Sequence, residues 1–126
     1  MKFQPDHPEA SAIRGYGAGW IQVGSERVTH AVVLRWSGER QAWGCERYEV
    51  LGADCFAQLA EGAPELVIFG SGDRLRFPRP EWLRPLVEAH IGVETMDTAA
   101  ACRTYNILLG EGRRVVAALL VPQAAP

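Results

Sequence analysis

Residues 66–77 read LVIFGSGDRLRF, and residues 81–121 read EWLRPLVEAHIGVETMDTAAACRTYNILLGEGRRVVAALLV. Apolar runs alternate with helix-like segments along this stretch, in the order 66–69, 80–90, 93–96, 98–109 and 115–121. The alternation predicts a β-α-β-α-β order whose strands form a parallel sheet buried on both faces. We expect the first two strands to be parallel and to lie adjacent or near-adjacent in the sheet. Because ligands of parallel sheets gather beyond the carboxyl ends of the strands, the residues that follow these runs mark a candidate site.

The length and composition of the chain are typical of one globular domain. The 126 residues are 48% apolar and carry a formal charge of −2, so the chain lacks the basic excess of a general nucleic-acid binder. No apolar run approaches the ~20 residues of a membrane span, and the N-terminal residues lack the apolar core of a signal peptide. We therefore expect a cytoplasmic protein with a polar arm over residues 1–12, one domain over residues 13–121 and a tail over residues 122–126.

The cysteines and histidines predict a fold that needs neither a disulfide nor a metal ion. Cys45, Cys55 and Cys102 are odd in number and form no C-x-x-C motif, which favours free thiols in a reducing compartment. The histidines are scattered, without the spacing of metal ligands, and no motif indicates a cofactor. Since no histidine is placed beside Cys102 by its spacing, we interpret this residue as a buried structural cysteine and not as a nucleophile.

The first half of the chain predicts a β element followed by a short helix. Two runs rich in β-branched and aromatic residues, 20–23 and 28–36, are separated by a turn and are typical of a hairpin. A third short strand is expected within residues 41–50, with Trp43 as its apolar anchor. Residues 55–60 then predict a helix that is ended by a glycine and a proline.

The predicted helices of the second half have recognisable ends. Pro85 implies that the first of them either kinks or begins only at this residue. Gly92 is expected just past the end of this helix. In the second helix, Asp97 or Thr98 is expected to cap the start, and Gly110 is expected just past the end.

Glycines and polar residues gather where the predicted strands end, and we regard them as a candidate groove. Its residues are Gly70, Ser71, Gly72, Asp73, Arg74, Asp97, Thr98, Arg103 and Asn106. The glycines either let a ligand approach the backbone or form a tight exit from the strand, and they match neither a dinucleotide fingerprint nor a P-loop. Residues 97–106 form either an anion site or a capped helix in which Arg103 pairs with Asp97, Asp73 or a carbonyl. No nucleophile–base pair can be assembled here, so no catalytic residue is assigned.

A second candidate site follows the first predicted strand. Basic and aromatic residues interleave here, and we regard Arg76, Phe77, Arg79 and Trp82 as a candidate partner surface. Nearby acidic residues dilute the local positive charge, so a protein-binding surface is favoured over contact with RNA. Arg and Trp are also residue types that are enriched in interface hot spots.

Several blocks of the second half resemble those of a known family. They are Met96-Asp97-Thr98, Ala101-Cys102-Arg103-Thr104-Tyr105-Asn106, Glu111-Gly112-Arg113 and the glycine turn Gly70-Ser71-Gly72. The family is the small domain family of unknown function that includes mitochondrial complex I assembly factor three and an adipogenesis-associated relative. The resemblance spans nearly the whole chain and implies a layered α/β domain with a mixed central sheet and an extra β element. No catalytic residue is established for the family, so none carries over.

The pattern and the resemblance together predict a single layered α/β domain. Its central sheet is expected to be mixed and partly parallel, flanked by helices, with an N-terminal β-hairpin element. The first functional hypothesis is a non-enzymatic interaction module that binds another protein, with the role in respiratory complex assembly that the resemblance implies. The alternative is a small-molecule-binding or enzymatic domain that uses the candidate groove. A deep pocket with convergent polar groups would favour the alternative, and an exposed Arg/Trp surface would favour the module.

Overall fold

The computed structural model of the protein describes residues 12–123. Nearly all of the predicted arm and part of the predicted tail lie outside the described residues. The strands are β1 (Ile13–Gly17), β2 (Trp20–Val23), β3 (Glu26–Val28), β4 (Val32–Arg35), β5 (Arg40–Ala42), β6 (Leu66–Gly70), β7 (Gly92–Met96) and β8 (Val115–Leu119). The helices are α1 (Ala53–Ala57), α2 (Pro80–Glu88) and α3 (Thr98–Gly110), and 3-10 turns cover Tyr48–Val50 and Gln58–Ala60.

The central sheet has five strands in the order β5-β4-β8-β6-β7. β6 runs parallel to β7 and to β8, whereas β4 runs antiparallel to β8 and to β5. The predicted mixed, partly parallel sheet is confirmed, as is the parallel pairing of the adjacent strands β6 and β7. The sequences of β6 and β8 are continuously apolar because each strand lies inside the sheet and is covered on both faces.

Alternate residues of the central strands point to opposite faces of the sheet and build two cores. Val67 and Phe69 of β6 join Phe56 of α1 and Leu86 of α2 in one core. Ile68, which lies between them, belongs to the other core. That second core also holds residues of the N-terminal strands and of α3: Ile21, Val23, Ala101, Cys102 and Tyr105. The sheet is thus the middle layer of a layered domain, as predicted.

The strands β1, β2 and β3 form a separate three-stranded antiparallel sheet. β2 and β3 are the predicted hairpin, but the expectation of one strand over residues 28–36 is wrong. Val28 ends β3 in the small sheet, whereas Val32–Arg35 forms β4 and pairs with β8 in the central sheet. The chain turns between them because the two halves of this apolar run belong to different sheets.

The third strand predicted within residues 41–50 is shorter than expected. β5 ends at Ala42 on the exposed edge of the central sheet, and the chain then folds inward at Trp43, which is buried as predicted. The backbone N–H of Trp43 donates to the Ala31 carbonyl, and its indole Nε1 donates to the Cys55 carbonyl, each at 3.0 Å. The first bond continues the register of β4 and β5, in which Val32 pairs with Ala42, and the second attaches the indole to α1.

The end of α2 differs from the prediction. The helix runs through Pro85 and does not begin there, since the proline removes only one hydrogen bond near the start of the helix. His90, and not Gly92, ends the helix in the left-handed conformation, with φ 61°. The N–H of Ile91 then donates to the Leu86 carbonyl at 2.9 Å, as in a Schellman motif. Gly92 is the first residue of β7.

The end of α3 is also displaced from the prediction. Gly110 is the last helical residue, and Gly112 takes the left-handed conformation with φ 78°. The N–H of Gly112 donates to the Leu109 carbonyl at 3.0 Å, and the N–H of Arg113 donates to the Leu108 carbonyl at 3.1 Å. The left-handed residue that terminates the helix is therefore Gly112 and not Gly110, and these bonds satisfy the last carbonyls of the helix.

The expectation of free thiols is wrong for two of the three cysteines. Cys45 and Cys55 form a disulfide, with a sequence separation of 10 and with their Cα atoms 6.3 Å apart. The inward fold at Trp43 brings Cys45 beside α1, which is a contact that the spacing of the cysteines cannot indicate. Cys102 is free and buried, as predicted, and burial raises the pKa of its thiol to about 12.

Candidate functional site

Gly70 is the last residue of β6 and the first residue of the candidate groove. A Cβ at this position would lie 2.8 Å from Cδ2 of Leu119, 3.0 Å from Oγ1 of Thr98 and 3.2 Å from Cβ of Ala101. The glycine therefore lets α3 and β8 pack closely against the end of β6. This contact supports the interpretation of the glycine turn as a tight exit from the strand.

The crevice between the carboxyl ends of β6 and β7 is closed by hydrogen bonds of the chain itself. Ser71 and Thr98 are both buried in it. The backbone N–H of Ser71 donates to the Met96 carbonyl at 2.8 Å. The Thr98 hydroxyl donates to the Leu120 carbonyl at 2.6 Å and accepts from the Gly72 N–H at 2.8 Å. Each polar group at the bottom of the crevice thus has a protein partner, as buried polar groups require.

The other candidate-groove residues at the start of α3 and along it make contacts outside the crevice. Asp97 caps the helix as predicted, because its Oδ1 accepts from the Ala100 N–H at 2.8 Å. Within residues 12–123, Arg103 pairs with none of the three predicted partners and donates instead to the Tyr16 hydroxyl at 2.7 Å. This bond joins α3 to β1 of the N-terminal sheet.

Asn106 fixes the edge of the N-terminal sheet. Its amide nitrogen donates to the Ile13 carbonyl at 2.7 Å, and its Oδ1 accepts from the Ile13 N–H at 2.9 Å. This pair of bonds is the pattern that a neighbouring strand would offer to β1, and it attaches β1 to α3. Arg103 and Asn106 therefore hold the N-terminal sheet, while Asp97 and Thr98 close the crevice.

A cleft of about 410 Å³ opens beside the closed crevice. Its lining comes from three segments: Glu46, Arg47, Tyr48, Glu49, Ser71, Gly72, Asp73, Arg74, Arg76, Leu120, Val121 and Gln123. Of the candidate groove, residues 71–74 contribute to this cleft. The wall formed by residues 46–49 was not anticipated, since its position depends on the fold-back at Trp43 and on the disulfide.

Arg76 joins two walls of this cleft. Its guanidinium lies 3.2 Å from the Glu49 carboxylate and 4.4 Å from the centre of the Tyr48 ring. Its backbone N–H donates to the Ser71 hydroxyl at 3.0 Å. A backbone hydrogen bond at Glu49 and, after it, the Arg76 guanidinium lower the pKa of this carboxylate. The Nε of Arg76 is buried and has no hydrogen-bond partner among the described residues.

The candidate partner surface lies on the outer side of this wall. Phe77 is 67% exposed, and its carbonyl accepts from the Tyr48 hydroxyl at 2.6 Å. Val50 and Leu75, which flank this bond on the two segments, are each 50% exposed. We call these residues, together with Arg76, Arg79 and Trp82, the Tyr48–Phe77 surface. Exposure of so many apolar side chains in one place is a feature of interaction sites.

Trp82 and Arg79 occupy different positions within this surface. Trp82 is partly buried and stacks on Phe56 of the core, with ring centres 6.4 Å apart and planes at 17°. Its other neighbour is Tyr48, at 5.4 Å between ring centres. Arg79 is exposed, and its guanidinium lies 5.9 Å from the centre of the Trp82 ring. Trp82 therefore supports the surface from below, whereas Phe77 and Arg79 face solvent.

Residues 12–123 contain neither a cluster of potential metal ligands nor a helix that could cross a membrane. No three or more His, Cys, Asp or Glu side chains of this part of the chain come together as possible metal ligands. None of the described helices is both long enough and apolar enough to cross a membrane.

The relatives of the chain include a named assembly factor. The chain is 33% identical to NADH dehydrogenase [ubiquinone] 1 alpha subcomplex assembly factor 3 of Bos taurus over 121 residues. The match covers 94% of this chain and 65% of the bovine protein. The chain thus corresponds to part of the length of that relative.

Solved structures agree with the fold, and a family model matches most of the chain. A crystal structure of a Bordetella parapertussis protein has a TM-score of 0.83 and 43% identity, covering 87% of this chain and 94% of that one. The solution NMR structure of a Mth938-like domain from Bordetella pertussis has a TM-score of 0.79 and 35% identity, covering 99% and 95%. The model of the family described as protein of unknown function (DUF498/DUF598) matches residues 13–120. The resemblance inferred from residues 97–106 is confirmed, and the chain belongs to the DUF498/DUF598 family.

Proposed function

We propose that this domain is a non-enzymatic interaction module that binds another protein through the Tyr48–Phe77 surface. The observation that carries the proposal is the exposure of Phe77, at 67%, on a loop held by the Tyr48 hydroxyl. A large apolar side chain that is exposed on a backbone held in this way is suited to fill a pocket of a partner. The closed crevice beside it offers no comparable opening.

The charge of the surface supports a partner of a particular kind. Arg74 and Arg79 are exposed and form no ion pair with the described residues, whereas Arg76 is already paired with Glu49. The partner that fits is a protein with an apolar pocket for Phe77 flanked by carboxylates for the free arginines. The bovine relative is named as an assembly factor for an NADH dehydrogenase, and a subunit of a respiratory complex under assembly would meet this description.

The test compares Phe77→Ala with Ile107→Ala. Ile107 is a matched control, because it is also an apolar residue, is 62% exposed and belongs to α3 on the other side of the sheet. Loss of an anchor residue should weaken binding by ~2 kcal/mol, or about thirtyfold. Both variants should keep the thermal stability of the wild type within ~0.5 kcal/mol, since neither side chain is buried.

The measurement is affinity capture from the native cell with quantitative mass spectrometry. It should be followed by titration of the purified partner against each variant. We expect one protein to be recovered by the wild type and by Ile107→Ala, and to be lost with Phe77→Ala and weakened with Arg79→Ala. Full recovery by both surface variants would contradict the proposal and direct the search to the N-terminal sheet. Trp82→Ala is less informative, because its stacking on Phe56 makes a loss of stability expected.

The second candidate function is binding of a small anion in the cleft beside Arg76. The cleft volume of about 410 Å³ lies in the range of ligand sites, and the buried Nε of Arg76 has no hydrogen-bond partner within residues 12–123. If the cleft binds such a ligand, small carboxylates or inorganic phosphate should raise the unfolding temperature of the wild type and leave that of Arg76→Gln unchanged. The absence of any ligand-dependent shift in the wild type would favour the interaction module.

A further inference from the structure

The Cys45–Cys55 disulfide closes the segment that forms one wall of the Tyr48–Phe77 surface. Cys45 follows β5 in an irregular stretch and is partly exposed. Cys55 lies on α1 and is buried at 7% exposure in the core that also holds α2. Residues 46–54 therefore form a loop whose two ends are joined by the disulfide.

The segment has few other restraints. It contains one 3-10 turn, Tyr48–Val50, and residues 46–50 have no strand partner. Its remaining polar contacts with other segments are made by individual side chains: Glu46 accepts from the Ala31 N–H at 2.9 Å, Tyr48 donates to the Phe77 carbonyl at 2.6 Å, and Glu49 pairs with Arg76 at 3.2 Å. The Tyr48 ring also contacts Trp82, and Leu51 is buried at the end of the segment. Side-chain bonds at partly exposed positions are each worth little, so the disulfide is the strongest single restraint on this wall.

We propose that the Cys45–Cys55 disulfide is a reducible tether that switches the Tyr48–Phe77 surface between an ordered and an open state. Control of partner binding by the disulfide rests on the proposed function. The release of residues 46–50 on reduction does not rest on it. In the oxidised protein, the tether holds Tyr48 where its hydroxyl supports the Phe77 carbonyl. In the reduced protein, residues 46–50 are released and Phe77 loses its fixed position.

Reduction follows ordinary thiol–disulfide exchange with a dithiol as the electron donor. One thiolate of the dithiol attacks Sγ of Cys45, the S–S bond breaks, and Sγ of Cys55 leaves as a thiolate that takes a proton from solvent. The reagent is now joined to Cys45 through a mixed disulfide. Its second thiolate attacks the reagent sulfur of that bond. Cys45 is then released as a thiol, and the reagent leaves as a cyclic disulfide, so that two electrons have passed to the protein.

The third cysteine cannot take part in this exchange. Cys102 lies in the core on the opposite face of the sheet from Cys55. Burial raises the pKa of its thiol to about 12, so the nucleophilic thiolate is not formed near neutral pH. The switch therefore depends on an external dithiol and on no internal resolving cysteine.

Hydrogen exchange measured by mass spectrometry tests the tether in the full chain. The reporters are the amides of Val50 and Leu51, which donate to the carbonyls of Arg47 and Tyr48 at 3.1 Å each. After treatment with dithiothreitol, we expect these amides to exchange at least about tenfold faster while β6 and β8 exchange as before. The Cys45→Ala/Cys55→Ala variant should exchange like the reduced protein without reductant and should not respond to it.

Three results would overturn the tether. They are unchanged exchange after reduction, faster exchange throughout β6 and β8, and a double variant that behaves like the oxidised protein. The binding test of Phe77→Ala remains separate. If Phe77→Ala binds normally but the reporter amides respond, the proposed function fails and the tether stands. If Phe77→Ala loses its partner but the amides do not respond, the surface functions without a redox switch.

Discussion

Thr98→Val removes one buried hydroxyl and keeps the shape of the side chain. In the folded protein this hydroxyl donates to the Leu120 carbonyl at 2.6 Å and accepts from the Gly72 N–H at 2.8 Å. Thr98 is completely buried, so water cannot replace either bond without local opening. The substitution therefore leaves one buried donor and one buried acceptor without partners.

The expected loss of stability follows from these two groups. An unsatisfied buried backbone group costs ~1–3 kcal/mol, and partial relaxation of the loop reduces the sum, so we expect Thr98→Val to lower the free energy of unfolding by ~2–4 kcal/mol. Thr104→Val is the matched control. Thr104 belongs to the same helix, is partly exposed and has no side-chain hydrogen bond recorded within residues 12–123, so its change should stay within ~0.5 kcal/mol.

Urea unfolding followed by circular dichroism measures the difference. We expect equal slopes for the two variants and a lower midpoint for Thr98→Val. Equal midpoints for the two variants would refute the idea that the Thr98 hydroxyl closes the crevice. The crevice would then be open enough to admit water. Ligand binding in the candidate groove would again be a supported hypothesis.

Two further predictions concern packing and pH. Gly70→Ala should lower the free energy of unfolding by ~1–3 kcal/mol in the same assay, because its Cβ would lie 2.8 Å from Leu119 Cδ2, whereas Gly110→Ala meets open space and should not destabilise α3. The hydrogen bond from Arg113 lowers the pKa of Glu65 below its ordinary value of 4.5. The stabilisation by the ionised Glu65 carboxylate is thus complete above pH 4.5 and is lost as the pH falls through the lower pKa of the folded state. The urea midpoint of Glu65→Gln should therefore depend less on acid pH than that of the wild type.

The second half of the fold could be predicted because its signals are local. The apolar runs of β6 and β8 are long enough to need cover on both faces, and the cap at Asp97 marks the start of α3 without reference to distant residues. Alternation of these segments then implies a parallel sheet. The closure of the crevice was beyond such patterns, since Thr98 meets Leu120 and Gly72 only in three dimensions.

Most of the errors concern distant partners, and the others concern the local ends of helices. The prediction of one strand over residues 28–36 rests on a run that is continuously suited to a sheet, and only the pairing of β4 with β8 divides this run. The disulfide requires the fold-back at Trp43, and the bond from Arg103 reaches a tyrosine 87 residues away. In α2, His90 accepts the left-handed position although a glycine lies two residues later, because the bond of Ile91 to Leu86 fixes the end there.

The residues 97–106 that resemble the family stabilise the fold. The family signature is therefore distinct from the proposed binding site. Asp97 caps α3, Thr98 closes the crevice, and Asn106 attaches β1. A ligand in this block would have to displace bonds that the fold uses. The exposed side chains of the proposed site, such as Phe77 and Arg79, lie outside this block. A binding specificity located there can change through exposed residues such as Phe77 and Arg79 while the scaffold is kept.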